Sequence, residues 1–393
     1  MAGSMLSDLL DAVRAGQNLR VTGGGSKPGL GHAVAGQALS VSCLRTVISY
    51  EPAELILVAQ PGLPLEELKA LLSTHGQALA FDPPDLGPLY GQPAGGGTLG
   101  GVVATGLSGP GRVKAGAVRD HVLGMTAIAG DGRVFRSGGK VVKNVTGFDL
   151  PKLLTGAHGT LGIMTEIVVK VLPSPPVSKT LVLAGIEGAE ATRALADALG
   201  SAAEVGAAAF TPSYLPLDGL LPDRTPCVLL RLDGVAVSVA ERLSALEQLL
   251  HGRAAMAVLA GDESTMLWAW LRDAAPLAER PELDVWRLSV PPMAGMGVLS
   301  TIRAAIPRAI GWLDWGGGLI WLGLPGGMAD AGASVVRGAL GGDGHATLMR
   351  APDAVKALVP VFQPLPGPLA ALTARVKAQF DPAGILNPGL MGM

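Results

Sequence analysis

The segment FDPPDLGPLYGQPAGGGTLGG, residues 81–101, sets the strongest limit on what this chain can fold into. Gly95, Gly97 and Gly100 satisfy the G-x-G-x-x-G spacing of a Rossmann dinucleotide fingerprint, and Asp120 follows about 20 residues later. That fingerprint also requires a buried parallel strand running directly into its first glycine and a helix opening at its last. Here the approach carries Pro83, Pro84, Pro88 and Pro93, which lack amide donors and fix φ, so no such strand leads into Gly95. A Rossmann site is therefore excluded by context. The glycines still permit close approach of backbone N–H groups to an anion, because no Cβ intervenes. Three such clusters, at 23–27, 95–101 and 156–162, lie beside strand-like runs early in the chain. They point to one extended ligand with several polar groups, as a dinucleotide is.

Apolar periodicity organises the rest. Leu6, Leu9, Leu10 and Val13 recur at helical spacing, with Gly16 placed as a C-terminal cap. LRVT (19–22) reads as a strand entering the first glycine cluster, ELILVAQ (54–60) as a second strand, and PLEELKALLSTHG (64–76) as a helix with Pro64 in its first turn. Asp131-Gly132 predicts a tight hairpin turn, DLPKLLTG (149–156) a short helix, and TLGIMTEIVVKVL (160–172) a long buried strand. Pro173-Ser174-Pro175-Pro176 can join neither helix nor sheet and marks a domain boundary. Beyond it KTLVLAG, ATRALADALG, EVGAAAF, PCVLLRLDG and a helix at 236–250 alternate, and a comparable rhythm returns from DVWRLSV (284–290) to HATLMRA (345–351). This pattern predicts repeated β-α-β units on one sheet, an α+β cap. The expected division is 1–172, 177–351, and two closing helices in 352–393.

A chain of 393 residues, 49% apolar and only 16% charged, can bury two such cores. A net charge of −2 without a Lys/Arg cluster argues against a nucleic-acid-binding face. Cys43 and Cys227 fit a reduced compartment and buried structural roles. The N-terminus carries Asp8, Asp11 and Arg14 and lacks the apolar core of a signal peptide. Residues 86–111 are uncharged but filled with Gly and Pro, which is wrong for a membrane helix. The expectation is a cytoplasmic chain with no membrane span, reaching the inner face of the membrane only through partners.

TGGGSKPG (22–29), PAGGGTLGGVVATGLSG (93–109), VRDHVLGMTAIAGDGRVFRSGGK (118–140), NVTGFDLPKLLTGAHGTLGIMTE (144–166) and FDPAGILNPG (380–389) together resemble the FAD-linked oxidases of the p-cresol methylhydroxylase / vanillyl-alcohol oxidase (PCMH) type. Within that family they are most similar to the FAD-binding subunits of bacterial glycolate oxidase. The resemblance implies an α+β chain with a PCMH-type FAD-binding domain and an α+β cap of ferredoxin-like repeats. It implies that Gly23, Gly24, Gly25, Ser26 and Lys27 lie along the FAD pyrophosphate. It places Pro93, Thr98, Leu99, Gly100, Gly101, Thr105, Gly106 and Ser108 around the flavin and its phosphates. Gly156, Gly159, Thr160, Gly162 and Ile163 would follow the adenosine and ribityl side, with Asn387 from the C-terminal motif. Members that hold flavin covalently carry a His in the first loop; Ser26-Lys27-Pro28 stands there and His32 comes too late, which implies non-covalent FAD.

Dehydrogenation of a 2-hydroxy acid needs a base for the hydroxyl proton and a cation for the carboxylate. Relatives that oxidise such acids carry H-x-G-D-G-N-x-H in the cap. Here Gly342-Asp343-Gly344-His345 keeps only the centre of that segment, and one histidine makes a poor metal site, so no metal is expected. His345 is the candidate base, or a hydrogen-bonded residue at a strand start. Arg350 is the candidate carboxylate holder, or a snorkelling side chain. Three readings follow from the resemblance. The first is an FAD-binding subunit of a complex that oxidises glycolate to glyoxylate, alongside a catalytic flavoprotein subunit and an iron–sulfur subunit. The second is an independent flavin-dependent 2-hydroxy-acid dehydrogenase, and the third a non-catalytic scaffold that holds FAD. Two cysteines cannot carry a Cys₄ cluster, so any cluster belongs to another chain.

Overall fold

A computed structural model describes residues 2–140, 147–215, 221 and 224–392. Asn144, Val145 and Thr146, which begin the fourth motif, lie outside the described residues. The chain divides into two compact units: 1–108, 116–174 and 364–393 form the first, and 109–115 with 175–363 the second.

The first unit holds β1 (Leu19–Thr22) and β2 (Gln37–Ser40), paired in parallel, and a five-stranded sheet. The sheet orders β3 (Val47–Glu51), β4 (Ile56–Ala59), β8 (Ile163–Lys170), β6 (Val122–Ile128) and β7 (Val134–Gly138). A short pair, β5 (Gln77–Ala78) with β9 (Leu172–Pro173), closes it. The β6–β7 connection is the hairpin expected at Asp131-Gly132, with Gly132 at φ 81° and Arg133 N–H donating to Asp131 Oδ1 at 3.0 Å. Helix Leu65–Ser73 buries Leu65, Leu68 and Leu72, the i, i+3, i+7 face, in a core shared with Leu57, Phe81, Val103 and Ile167. The C-terminal segment returns beside β1, where Leu386 bridges Leu19 in parallel.

In the second unit β10 (Val177–Ala184), β11 (Ala207–Thr211), β12 (Cys227–Gly234) and β13 (Ala255–Ala260) are ordered β13-β10-β12-β11, with helices Gly188–Gly200 and Ala236–Leu249 as crossovers. β14 (Leu283–Ser289), β15 (Ile310–Asp314), β16 (Leu319–Pro325) and β17 (His345–Arg350) repeat the plan as β15-β16-β14-β17, with helices Gly295–Ala305 and Ala333–Ala339. Each half is thus a βαββαβ ferredoxin-like unit, and β11 joins β15 to make one antiparallel eight-stranded sheet. Alternation decides the faces: Leu181, Leu183, Leu230, Trp286 and Leu322 point to the helix-covered core.

Two boundaries differ from the sequence reading. Residues 352–363 stay with the second unit, because Leu348 N–H donates to Val361 O at 2.8 Å and Val361 is fully buried in that core. Residues 109–115 also belong there: Trp315 Nε1 donates to Gly109 O at 3.0 Å and Lys114 pairs with Glu204 at 2.9 Å. Cys227 is buried, which pushes its thiol up to about 11, whereas Cys43 is exposed in the turn after β2.

Candidate functional site

In the first unit three backbone loops and the C-terminal segment converge on a cleft of about 250 Å³. β1 delivers the first loop, Gly23 to Lys27. The second is the start of helix Leu99–Thr105, capped by Thr98, whose Oγ1 accepts from Gly101 N–H at 3.2 Å. These two loops interlock only because side chains are missing. A Cβ on Gly23 would lie 2.7 Å from Thr98 Oγ1, and one on Gly24 would collide with the Gly96 carbonyl. Asn387 fastens the rest: its Oδ1 accepts from Val21 N–H at 2.7 Å and its Nδ2 donates to His158 O at 2.8 Å. It does so at φ 44°, a left-handed conformation that Asn tolerates better than most residues.

Of the residues named from the sequence, Gly23, Gly24, Gly25, Ser26 and Lys27 line this cleft. So do Thr98, Gly100, Gly101 and Thr105, and then Gly159, Gly162, Ile163 and Asn387. Six others do not line it. Leu99 is fully buried in the core, and Gly106 caps its helix at φ 65° with Gly156 packed against it. Ser108 Oγ accepts from Val118 N–H at 3.0 Å, and Thr160 Oγ1 donates to Ala157 O at 2.7 Å. Pro93 is exposed. A glycine or hydroxyl motif in sequence does not separate a residue that faces ligand from one that shapes the loop behind it.

The structure also brings in Arg20, His32 and His158, which the sequence reading set aside or passed over. His158 is held neutral, its ring pushed down to about 4 by burial and by Lys27. His32 N–H donates to Leu390 O at 3.0 Å, a contact across the whole chain with no local sequence signal.

The donor set suits a diphosphate. Among the described residues the N–H groups of Gly23, Gly24, Gly25 and Ser26 have no protein acceptor, so an anion can take them. Lys27 adds a cation 3.2 Å from Ser26 Oγ. Burial lowers the Lys27 pKa and the Asp85 charge opposes that shift; Asp85 itself is occupied by Gly95 N–H at 2.6 Å and Gly87 N–H at 3.2 Å. A lysine with a lowered pKa loses its charge at a lower pH than an ordinary one. Anion affinity is therefore expected to fall with rising alkalinity before free lysine titrates. Lys27→Met should weaken FAD binding about 10-fold at pH 7 and flatten that pH dependence, checked by flavin fluorescence titration. Equal affinity at pH 7 in the variant would remove Lys27 from the site.

Neither catalytic candidate lines this cleft. Arg350 is committed to backbone: Nη2 donates to Leu277 O at 3.0 Å, to Leu283 O at 3.1 Å and to Arg280 O, and Nε donates to Leu283 O at 3.2 Å. It clamps the connection into β14 rather than a carboxylate. His345 is an exposed first residue of the edge strand β17, paired with Ser289 at the opposite end from Arg350. Beside Arg350, burial raises the Asp284 carboxyl to about 6 against the pull of that guanidinium. A raised carboxyl contributes stability below its unfolded value that is lost as pH climbs through about 6. Asp284→Asn should therefore gain unfolding midpoint over the parent between pH 4 and pH 7, with little difference at pH 4. A midpoint difference independent of pH would contradict this.

One cationic group was missed by sequence. Arg287 in β14 lies 4.9 Å from the centre of the Trp315 ring, with Arg112 at 4.2 Å from the same ring. Burial, then Arg112, lowers Arg287 to about 10, still fully charged at neutral pH, while Asp314 opposes the shift. Arg287 sits in a strand that also carries Asp284, and only the fold brings Trp315 to it.

Comparison with known proteins fixes the family. Residues 5–138 match the FAD binding domain family, and 366–391 match the C-terminal domain of FAD linked oxidases. The chain is 35% identical over 390 residues to the glycolate oxidase subunit GlcE of Escherichia coli (strain K12), covering 99% of this chain and 96% of that protein. This chain belongs to the GlcE family of FAD-linked oxidases. The cofactor is FAD. Over 146 residues the chain is also 32% identical to the glycolate oxidase subunit GlcD of Bacillus subtilis (strain 168), covering 37% of this chain and 29% of GlcD. Among solved structures, 4-ethylphenol oxidase from Gulosibacter chungangensis shares the fold at a TM-score of 0.70 and 16% identity, covering 98% of this chain and 87% of that one. Alkyldihydroxyacetonephosphate synthase does so at 0.69 and 17%, covering 98% and 75%. Among the described residues no helix is long and apolar enough to cross a membrane.

Proposed function

We propose that this chain is the FAD-binding subunit of a cytoplasmic glycolate oxidase complex, working with a catalytic flavoprotein subunit and an iron–sulfur subunit. The end-to-end identity with the GlcE subunit carries the reading. The cleft supports it, since its loops offer a run of amides without protein acceptors, Lys27 and a neutral His158 to a dinucleotide. Held there non-covalently, FAD would supply the acceptor for the two electrons that leave a 2-hydroxy acid as it becomes a 2-oxo acid. The chain's own residues would do the holding: Gly23 to Lys27 would take the phosphates, Thr98, Gly100 and Gly101 line the same cleft, and Asn387 fixes the loop that ends at Gly159. Neither the clamped Arg350 nor the exposed His345 supplies substrate chemistry. Among the described residues no group of His, Cys, Asp or Glu could hold a metal. The commitment of Arg350 to backbone carbonyls favours a partner subunit over a self-sufficient enzyme.

A second reading, an independent 2-hydroxy-acid dehydrogenase, is favoured only by Arg287 and Arg112 about Trp315, cations that could meet a substrate carboxylate. Anaerobic addition of glycolate to the FAD-reconstituted chain separates the two. Flavin bands that persist alone and bleach once the companion subunits are added are expected. Bleaching in the isolated chain would favour the independent enzyme, and absence of flavin after reconstitution would sink both.

A further inference from the structure

We propose that the second unit carries a binding site for an α-amino acid, with the ligand's ammonium on Asp284 and its carboxylate on Arg308. The site is a cleft of about 750 Å³ at one end of the β15-β16-β14-β17 half-sheet. It stands apart from the FAD reading and nothing in that reading requires it.

Three observations carry the assignment. First, Asp284 is 3% exposed, yet its Oδ2 is buried with no hydrogen-bond partner among the described residues. A buried carboxylate short of donors is unfavourable, and its place in the cleft wall gives a ligand's ammonium a carboxylate to meet. Second, Arg308 lines the same cleft, is exposed, and makes no hydrogen bond or ion pair among the described residues. The other guanidinium, Arg350, is spent on the carbonyls of Leu277, Arg280 and Leu283, so the cleft has one open anion receptor rather than two. Third, Glu282 adds a second carboxylate to the lining, which balances the Arg350 charge and leaves Asp284 and Arg308 as opposite poles. One carboxylate pole, one guanidinium pole and a wall of Leu283, Pro325 and Pro352 describe a zwitterion with an apolar side chain. The cleft is also kept open locally: a Cβ on Gly326 would stand 2.5 Å from the Glu282 carbonyl, so only glycine lets the end of β16 pass that close.

The test is equilibrium dialysis of the FAD-reconstituted full chain against radiolabelled L-leucine at pH 7, with leucinamide and 4-methylpentanoate as competitors. Leucine is expected to bind saturably and to be displaced at least 10-fold less well by leucinamide, which lacks the carboxylate, and by 4-methylpentanoate, which lacks the ammonium. Arg308→Gln, a change at an exposed position that leaves the fold intact, should weaken leucine binding at least 10-fold, and Asp284→Asn should do the same. No saturable binding by about 10 mM overturns the proposal. So does leucine binding that Arg308→Gln leaves unchanged, or displacement by 4-methylpentanoate equal to that by leucine.

Discussion

Gly24→Ala is expected to abolish stable FAD binding while most of the fold persists. The added Cβ would run into the Gly96 carbonyl and come within 3.1 Å of Thr98 Cγ2, so one of two backbone loops must move. Backbone cannot step aside as a flexible side chain does, and overpacking of this kind costs about 3 kcal/mol, which is roughly a 100-fold loss of affinity if the strain is relieved by opening the cleft. Gly25→Ala provides the contrast. No atom lies within 4 Å of a Cβ there, and only φ +72° opposes it, about 1–2 kcal/mol and a loss nearer 10-fold. Flavin absorbance after reconstitution, with far-ultraviolet circular dichroism to check folding, reads both. Gly24→Ala binding FAD as tightly as the parent would disprove the interlocking of the two loops.

Asp381→Ala is expected to produce the largest loss of stability in the first unit. Asp381 is 2% exposed and accepts from Ile385 N–H at 3.0 Å, Leu386 N–H at 2.8 Å and Lys377 Nζ at 2.5 Å. Lys377 donates in turn to Thr160 O at 2.7 Å and Leu386 O at 3.0 Å. Removing the carboxylate strands a largely buried ammonium and two amides, a loss of about 3–5 kcal/mol and an unfolding midpoint lower by about 10 °C. The same change loosens residues 385–387, so Asn387 should lose its hold on Val21 and His158 and FAD affinity should fall with it. Adding Lys377→Met removes the stranded charge and should recover part of the midpoint. A shift below about 2 °C in the single variant, by calorimetry, would show that Asp381 is not the anchor described.

The candidate site was legible to different depths. Gly23 to Lys27 could be named because a strand, LRVT, runs straight into them and local chemistry alone makes that loop. Thr98 and Gly101 were named through the family resemblance, and only the structure shows Thr98 capping helix Leu99–Thr105 by accepting from Gly101 N–H. Ser108 and Thr160 looked equivalent in sequence, yet their hydroxyls turn to Val118 and Ala157, because burial beside an unpaired backbone group outweighs exposure to a ligand. His345 and Arg350 were chosen by their place after Gly-Asp-Gly, and only the strand register and the three carbonyls around Arg350 removed them.

Sequence by itself determined element types and where regular structure must break. Prolines before Gly95 exclude a parallel strand there, Asp131-Gly132 dictates the hairpin, Pro173 to Pro176 breaks the chain, and the alternation beyond it prescribes β-α-β repeats on one sheet. These follow from dihedral limits and hydrophobic spacing, which act over a few residues. Tertiary structure alone decided how segments hundreds of residues apart share one atom's worth of space. Asn387 bonded to Val21 and His158, Lys377 to Thr160, and Arg287 set against Trp315 depend on which surfaces meet when apolar faces are buried. No local pattern encodes a partner that distant, because its position is set by the packing of everything between.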